Sequence, residues 1–145
     1  EIEIVKEGMD ITLVSYGSTL RIVLSIANKL EESGINCEVI DIQTLIPFDV
    51  SKEIGKSLSK TNRLLIIDED VPGGASSYIL QELLEKQDAY HLLDSPPHLL
   101  TAKEHRPAYA EDGDYFSKPS EDDIFEKVIS IMHEAEPNKY PPTSI

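Results

Sequence analysis

Apolar and polar residues alternate from the first position. Glu1-Ile2-Glu3-Ile4-Val5-Lys6 has the two-residue period of a strand with one face toward solvent, which predicts a sheet edge. Glu7-Gly8-Met9-Asp10 is a turn. Ile11-Thr12-Leu13-Val14-Ser15-Tyr16 predicts a second strand, richer in β-branched residues and more buried. Gly17-Ser18 breaks it. Leu20, Val23, Leu24, Ala27 and Leu30 then recur at helical spacing, and Gly34 is the stop. A third strand is expected over 37–42, followed by a short loop with Pro47 and a helix that carries Val50, Ile54 and Leu58 on one face.

Leu64-Leu65-Ile66-Ile67 is a continuous apolar run, which predicts a central parallel strand opening into Asp68-Glu69-Asp70. Gly73-Gly74 turns the chain toward a helix faced by Ile79, Leu80, Leu83 and Leu84. His98 to Thr101 predicts a short fifth strand after Pro96-Pro97. Lys103 to Pro119 is polar and shows little periodicity. Ser120 and Asp123 form a partial capping box for a last helix with Ile124, Val128, Ile131 and Met132 as its apolar stripe. Residues 136–145 contain three prolines, and we expect them to form a flexible tail behind a domain of residues 1–135.

Strands that alternate with helices through short loops give a mostly parallel sheet covered on both faces, an α/β fold. The link from the first strand to the second is too short for a parallel crossover, so the first strand is expected to run antiparallel.

Composition narrows the function. The chain has 145 residues, enough for one domain with a real core. Its 13 basic and 27 acidic side chains give a net charge of −14. That balance argues against sequence-independent nucleic-acid binding and against docking on an anionic membrane. It permits a basic protein partner, although solubility alone also accounts for it. A single cysteine, Cys37, excludes an internal disulfide and a cysteine-based zinc site; among apolar neighbours it reads as a packed thiol. No apolar run approaches the roughly 20 residues of a membrane helix, and the first residues do not have the pattern of a signal peptide. The absence of an initiator Met and the immediate strand pattern lead us to expect a piece of a longer protein cut at a domain boundary.

Four features fall where α/β sheets bind ligands, at the C-terminal strand ends. Tyr16-Gly17-Ser18-Thr19 could offer helix N-terminal amides to an anion, or simply cap the helix. Asp68-Glu69-Asp70 could hold a divalent cation, but adjacent residues on an extended segment alternate in direction, so at most two converge; a solvated loop is the plainer reading. Gly73 and Gly74 suit a phosphate loop, a structural turn or a close domain contact. The loop with His105, Arg106, Tyr109, Tyr115 and Phe116 mixes charge and aromatics as binding surfaces do. His105 has no nucleophile or carboxylate at a recognisable spacing, so a subunit or domain contact is expected. His91, His98 and His133 show no metal-ligand spacing. The residues alone thus indicate an α/β domain without a complete active site.

Three ordered stretches carry a family resemblance: residues 10–18, the Glu38-Val39-Ile40-Asp41…Thr44-Leu45…Pro47-Phe48-Asp49 pattern, and Arg63 to Glu69 ahead of Gly73-Gly74. Over residues 1–133 the chain resembles the C-terminal domain of the transketolase family, as found in β subunits of thiamine-diphosphate-dependent 2-oxoacid dehydrogenases of pyruvate and branched-chain (2-oxoisovalerate) type. Residues 101–119 look like a variant in which α and β regions are fused. The resemblance implies a three-layer α/β/α sandwich with a five-stranded mixed sheet, order 1-3-2-4-5, first strand antiparallel. It implies no catalytic, cofactor-binding or metal-ligating residue in this domain. Thiamine diphosphate and Mg²⁺ would be held by other parts of the parent enzyme. The family's Gly-Asp-Gly…Asn motif is matched only by Asp112-Gly113-Asp114, which lacks the first glycine, so no metal role is carried over.

The implied partners are the parent's own N-terminal catalytic domains, a homodimer or heterotetramer, and the basic subunit-binding domain of a dihydrolipoyl acyltransferase. The implied compartment is a bacterial cytoplasm or a mitochondrial matrix. Asp94 stands where the family has an acidic residue before the last strand and is the expected docking carboxylate, with Glu121, Asp122 and Glu126 as further candidates. Gly73, Gly74, His105, Arg106, Tyr115 and Phe116 are the expected domain or subunit contacts. The alternatives are a free-standing flavodoxin-like module binding a nucleotide or anion at Gly17-Ser18 and Gly73-Gly74, or the equivalent domain of a transketolase or 1-deoxyxylulose-phosphate synthase.

Overall fold

A computed structural model describes residues 2–15, 17, 19–42, 53–68, 75–86, 89–101, 103–104, 116–117 and 119–140. Strands β1 (Ile2–Lys6), β2 (Ile11–Ser15), β3 (Cys37–Ile42), β4 (Leu64–Ile67) and β5 (His98–Leu100) form one sheet of order β1-β3-β2-β4-β5. β2 pairs in parallel with β3 and β4, and β4 with β5. β1 pairs antiparallel with β3, Ile4 opposite Ile40. The turn between β1 and β2 is too short for a parallel crossover; it passes over the start of β3, and β1 takes the free edge of that strand, antiparallel. Both the order and the antiparallel first strand match the expectation.

Helices α1 (Thr19–Glu32), α2 (Glu53–Thr61), α3 (Ala75–Lys86) and α4 (Glu121–Ala135) cover the sheet. Alternation within each strand decides which helix a side chain meets. Ile11, Leu13, Cys37, Val39, Leu65 and Ile67 point to one face and pack with Val23, Ile26, Ala27 and Leu30 of α1 and Ile124, Val128, Ile131 and Met132 of α4. Val14, Ile40, Ile42, Leu64 and Ile66 point to the other, with Ile54 and Leu58 of α2 and Ile79 and Leu83 of α3. Residues of both signs of pleat are buried, which is why β4 reads as an unbroken apolar run. Val50, expected at the head of α2, lies outside the described residues.

Two features were not legible in advance. The ends of the polar stretch come together as a small antiparallel ribbon, β6 (Lys103–Glu104) with β7 (Phe116–Ser117). Strands of two residues are too short to show a period. The second is the chain end. Residues 136–145 read as a flexible tail, yet Glu136 to Tyr140 turn back onto the domain. Tyr140 joins the α1–α4 core and is only 7% exposed. Of the three prolines in this segment only Pro137 lies within the described turn. Residues 141–145 lie outside the described residues.

Local contacts fix how the layers meet. Thr12 points from β2 toward α2, and its hydroxyl lies 2.7 Å from Ser57 Oγ and 2.6 Å from Thr61 Oγ1, all three residues buried. Gly8 turns directly against the start of β3. A Cβ there would lie 2.4 Å from the carbonyl carbon of Cys37 and 2.6 Å from the Asn36 oxygen, both backbone atoms. Its N–H donates to the fully buried Glu38 Oε1, which also takes an ion pair from Lys60. Gly34, at φ 88°, ends α1 in the left-handed region. Ser120 caps α4 through a complete capping box with Asp123. Cys37 is a packed thiol, as expected: burial pushes its pKa up to about 12, with Asp10 and Glu31 raising it and Lys6 lowering it.

Candidate functional site

The most connected polar group among the described residues is Arg63, at the edge where the parallel strands begin. α2 is followed by Asn62, which adopts φ 62° and donates from Nδ2 to Leu92 O at 2.7 Å. Asparagine tolerates this left-handed backbone better than most residues. The turn delivers Arg63 to the mouth of β4, where its carbonyl accepts Thr12 N–H at 2.9 Å. Its side chain is 10% exposed. Nε donates to Asp94 Oδ1 at 3.3 Å, Nη1 to the Asp10 carbonyl at 3.3 Å, and Nη2 lies 3.2 Å from Asp94 Oδ2 and 3.1 Å from Glu136 Oε2. Nη1 also meets Met132 Sδ at 3.8 Å.

One guanidinium therefore ties the entrances of β2, β4 and β5 to the end of α4. Asp94 itself is placed by its own N–H, which donates to Asn62 O at 2.9 Å. Its side chain remains 47% exposed and that of Glu136 41% exposed. One guanidinium meets both carboxylates, and Lys139 also lies within electrostatic reach of Glu136.

The other docking candidates lie elsewhere. Glu121 and Asp122 open α4, and Glu136 follows its end. The 15 residues of that helix span about 21 Å at 1.5 Å per residue. Asp94 and Glu121 thus belong to separate patches. Glu121 is also engaged, by Lys29 Nζ at 3.1 Å and by Ser25 Oγ at 3.3 Å. Asp122 and Glu126 are exposed. Glu126 lines a shallow depression of about 230 Å³ with Leu100, Asp123, Lys127 and Ser130. Gly73, Gly74, His105, Arg106 and Tyr115 lie outside the described residues. Phe116 is placed only by its backbone, in β7.

At the opposite end of β2, Gly17, Leu20, Arg21, Ile22 and Leu24 line an open cavity of about 580 Å³. The hydroxyls of Ser15 and Thr19 are buried nearby in sequence without hydrogen-bond partners, but neither belongs to that lining. Among the described residues no three His, Cys, Asp or Glu side chains converge to hold a metal ion. His98 faces α4 from β5; burial and Lys127 lower its pKa from 6.5, against Glu134. Among the described residues its Nε2 has no hydrogen-bond partner.

Sequence reasoning singled out Asp94 but neither of its companions. Arg63 was visible as a basic residue directly ahead of an apolar run, and a charge in that position needs a partner. Glu136 offered no signal, because its role depends on the turn anchored by Tyr140.

Residues 1–124 match the family described as "Transketolase, C-terminal domain". The chain is 31% identical over 136 residues to the pyruvate dehydrogenase E1 component subunit beta of Rickettsia felis, covering 90% of this chain and 40% of that protein. It is 46% identical over 88 residues to the mitochondrial 2-oxoisovalerate dehydrogenase subunit beta 2 of Arabidopsis thaliana, covering 59% of this chain and 24% of that protein. A split-gene transketolase, solved as an inactive β4 tetramer, superposes with a TM-score of 0.66 at 24% identity, covering 91% of this chain and 41% of that one, a likeness of fold. The chain spans well under half the length of the curated relatives it matches. On the match over residues 1–124, together with the antiparallel first strand and the β1-β3-β2-β4-β5 order, this chain belongs to the transketolase C-terminal domain family.

Proposed function

We propose that this chain is the C-terminal assembly and docking domain of the decarboxylating component of a 2-oxoacid dehydrogenase complex, of pyruvate or 2-oxoisovalerate type. The observation that carries the reading is its 31% identity to a pyruvate dehydrogenase β subunit across 90% of its own length. The parent enzyme would decarboxylate a 2-oxoacid on thiamine diphosphate with Mg²⁺ and pass the acyl group to lipoyl groups. No step of that chemistry is assigned to the described residues. The domain's own work is contact, with the catalytic domains of the parent in a dimer or heterotetramer and with the acyltransferase that receives the acyl group.

For the acyltransferase, the reading places a basic subunit-binding domain on the Asp94 end of the sheet. Two half-exposed carboxylates are held there in fixed positions by one guanidinium, so little side-chain entropy is lost when a lysine or arginine approaches. Each exposed ion pair contributes only about 0–1 kcal/mol, so several must act together. Glu121, Asp122 and Glu126 form a second, weaker acidic patch at the far end of α4.

Calorimetric titration of the full enzyme with the subunit-binding domain tests the assignment. Asp94→Asn is expected to weaken binding and flatten its salt dependence, while the triple change at Glu121, Asp122 and Glu126 has the smaller effect. Unchanged affinity in Asp94→Asn would remove that residue from the interface. No binding by the wild type would refute docking altogether.

A further inference from the structure

The two most exposed large apolar side chains among the described residues flank the Arg63 cluster. Met9 is 63% exposed and Tyr90 69%, against 37% for Ile4 and for Tyr78. Met9 stands in the turn before β2. Its neighbour Asp10 accepts Arg63 Nη1 on its carbonyl at 3.3 Å and Asn36 N–H on Oδ2 at 2.7 Å, which fixes that turn against the cluster and the start of β3. Tyr90 stands on the other side, in a short 3₁₀ turn, Ala89–Leu92. That turn is tied to the same cluster, because Leu92 O accepts Asn62 Nδ2 at 2.7 Å and Asp94 N–H donates to Asn62 O at 2.9 Å. The His91 ring meets the Tyr90 ring edge-on, with 5.8 Å between centres. The entrances of β3, β2, β4 and β5 follow one another here, so the edge is about 14 Å long at about 4.8 Å per strand.

Scattered single apolar side chains on a surface are ordinary. These two differ because both sit on backbone fastened to one charged cluster, a Met and a Tyr around an Arg, the residue types that interfaces favour. Charge alone holds a partner weakly at this edge. Arg63 meets both carboxylates, and Lys139 lies within electrostatic reach of Glu136 and Asp10, so an incoming cation shares them.

We infer that Met9 and Tyr90 are the apolar anchors of this docking edge. Its partner is a small basic domain that sets a cationic side chain against Asp94 and apolar side chains on either side of it. The net charge of −14 and the half-exposed Asp94 carboxylate favour the basic partner and orient it. The anchors then hold it by expelling water from apolar surface. The Met9 thioether adapts to an irregular partner surface, and the Tyr90 ring offers a large area with little rotamer freedom to lose. The inference rests on the docking role proposed above and adds the source of its binding energy.

Calorimetric titration of the full enzyme with the basic subunit-binding domain of its acyltransferase, over a range of salt and temperature, separates anchor from charge. Met9→Ser and Tyr90→Ser should each weaken binding, and the double variant should do so by at least about tenfold. The salt dependence of the affinity should be unchanged in these variants and flatter in Asp94→Asn. The negative heat-capacity change of binding should shrink in the double variant and persist in Asp94→Asn. Both side chains lie mostly in water, so the unfolding midpoint should stay close to that of the wild type.

If Asp94→Asn weakens binding and the double variant does not, the anchors are overturned and the docking role stands. If the wild-type enzyme does not bind, the docking role fails and the anchors fail with it. If the double variant separates the enzyme's own subunits in size-exclusion chromatography, Met9 and Tyr90 belong to a contact inside the parent, and the inference is overturned.

Discussion

Replacing Thr12 with valine tests the joint between β2 and α2. The two side chains have nearly the same shape, so no cavity opens and no neighbour must move. What disappears is a hydroxyl that meets Ser57 Oγ at 2.7 Å and Thr61 Oγ1 at 2.6 Å in a site where the three residues are 0%, 1% and 3% exposed. Each lost bond removes about 0.5–1.5 kcal/mol net, and a hydroxyl stranded without a partner costs toward the upper end of about 1–3 kcal/mol. Thr61 keeps a long contact to the Arg63 carbonyl at 3.3 Å. Ser57 and Thr61 both sit on a helix and can turn to the carbonyl four residues back, which recovers part of the loss. The net expectation is about 2 kcal/mol, or a fall in Tm of about 4–8 °C for a domain of this size.

Urea unfolding followed by circular dichroism measures it, and an unchanged m-value confines the effect to the native state. The double variant Thr12→Val/Ser57→Ala should be less destabilised than the two single changes added together, by about 0.5–1 kcal/mol, because Ser57→Ala removes the group that Thr12→Val strands. A single-variant loss below about 0.5 kcal/mol, or strict additivity, would refute the claim that these hydroxyls form one bonded unit.

Gly8→Ala should be strongly destabilising for its size, about 1–3 kcal/mol in the same assay, because the added carbon meets the backbone of Asn36 and Cys37, which cannot yield as a side chain would. A neutral result would mean that the β1–β2 turn can lift off β3. The Cys37 thiol titrates near 9.0 in an open chain and at about 12 in the fold. The folded state thus holds its proton more tightly, so this contribution to stability is complete below pH 9 and is lost as pH rises toward 12. Cys37→Ala should flatten the alkaline limb of the stability curve, and the native thiol should react with a disulfide reagent only at the rate at which the chain opens.

How much of this was legible in the sequence follows from which interactions are periodic. The strands and helices were readable because each buries a face, and burial of a face writes a period of two or 3.6 into the chain. The antiparallel first strand was readable from the length of one turn. Arg63, Asp94 and Glu136 meet because three chain segments converge at one edge, and convergence leaves no period. Asp94 was noticed only through its place in a family pattern. The turn at Glu136 to Tyr140 ran against its local composition, since prolines suggested a loose end where one tyrosine side chain finds a slot between two helices. The loop carrying His105 and Arg106 and the glycines 73 and 74 lie outside the described residues.

The irregular pairing of β1 has a consequence for how the chain behaves in concentrated solution. An edge strand offers unpaired amides and carbonyls to any other edge it meets, and a long flat one is a template for aggregation. Here the register against β3 slips between Ile4 and Lys6, so the ladder is regular over only Ile2, Glu3 and Ile4 before it bends. Glu3 and Lys6 add charge on either side of that bend. The same short strand that completes the sheet therefore also ends it, leaving a stretch too short and too charged to recruit a stranger.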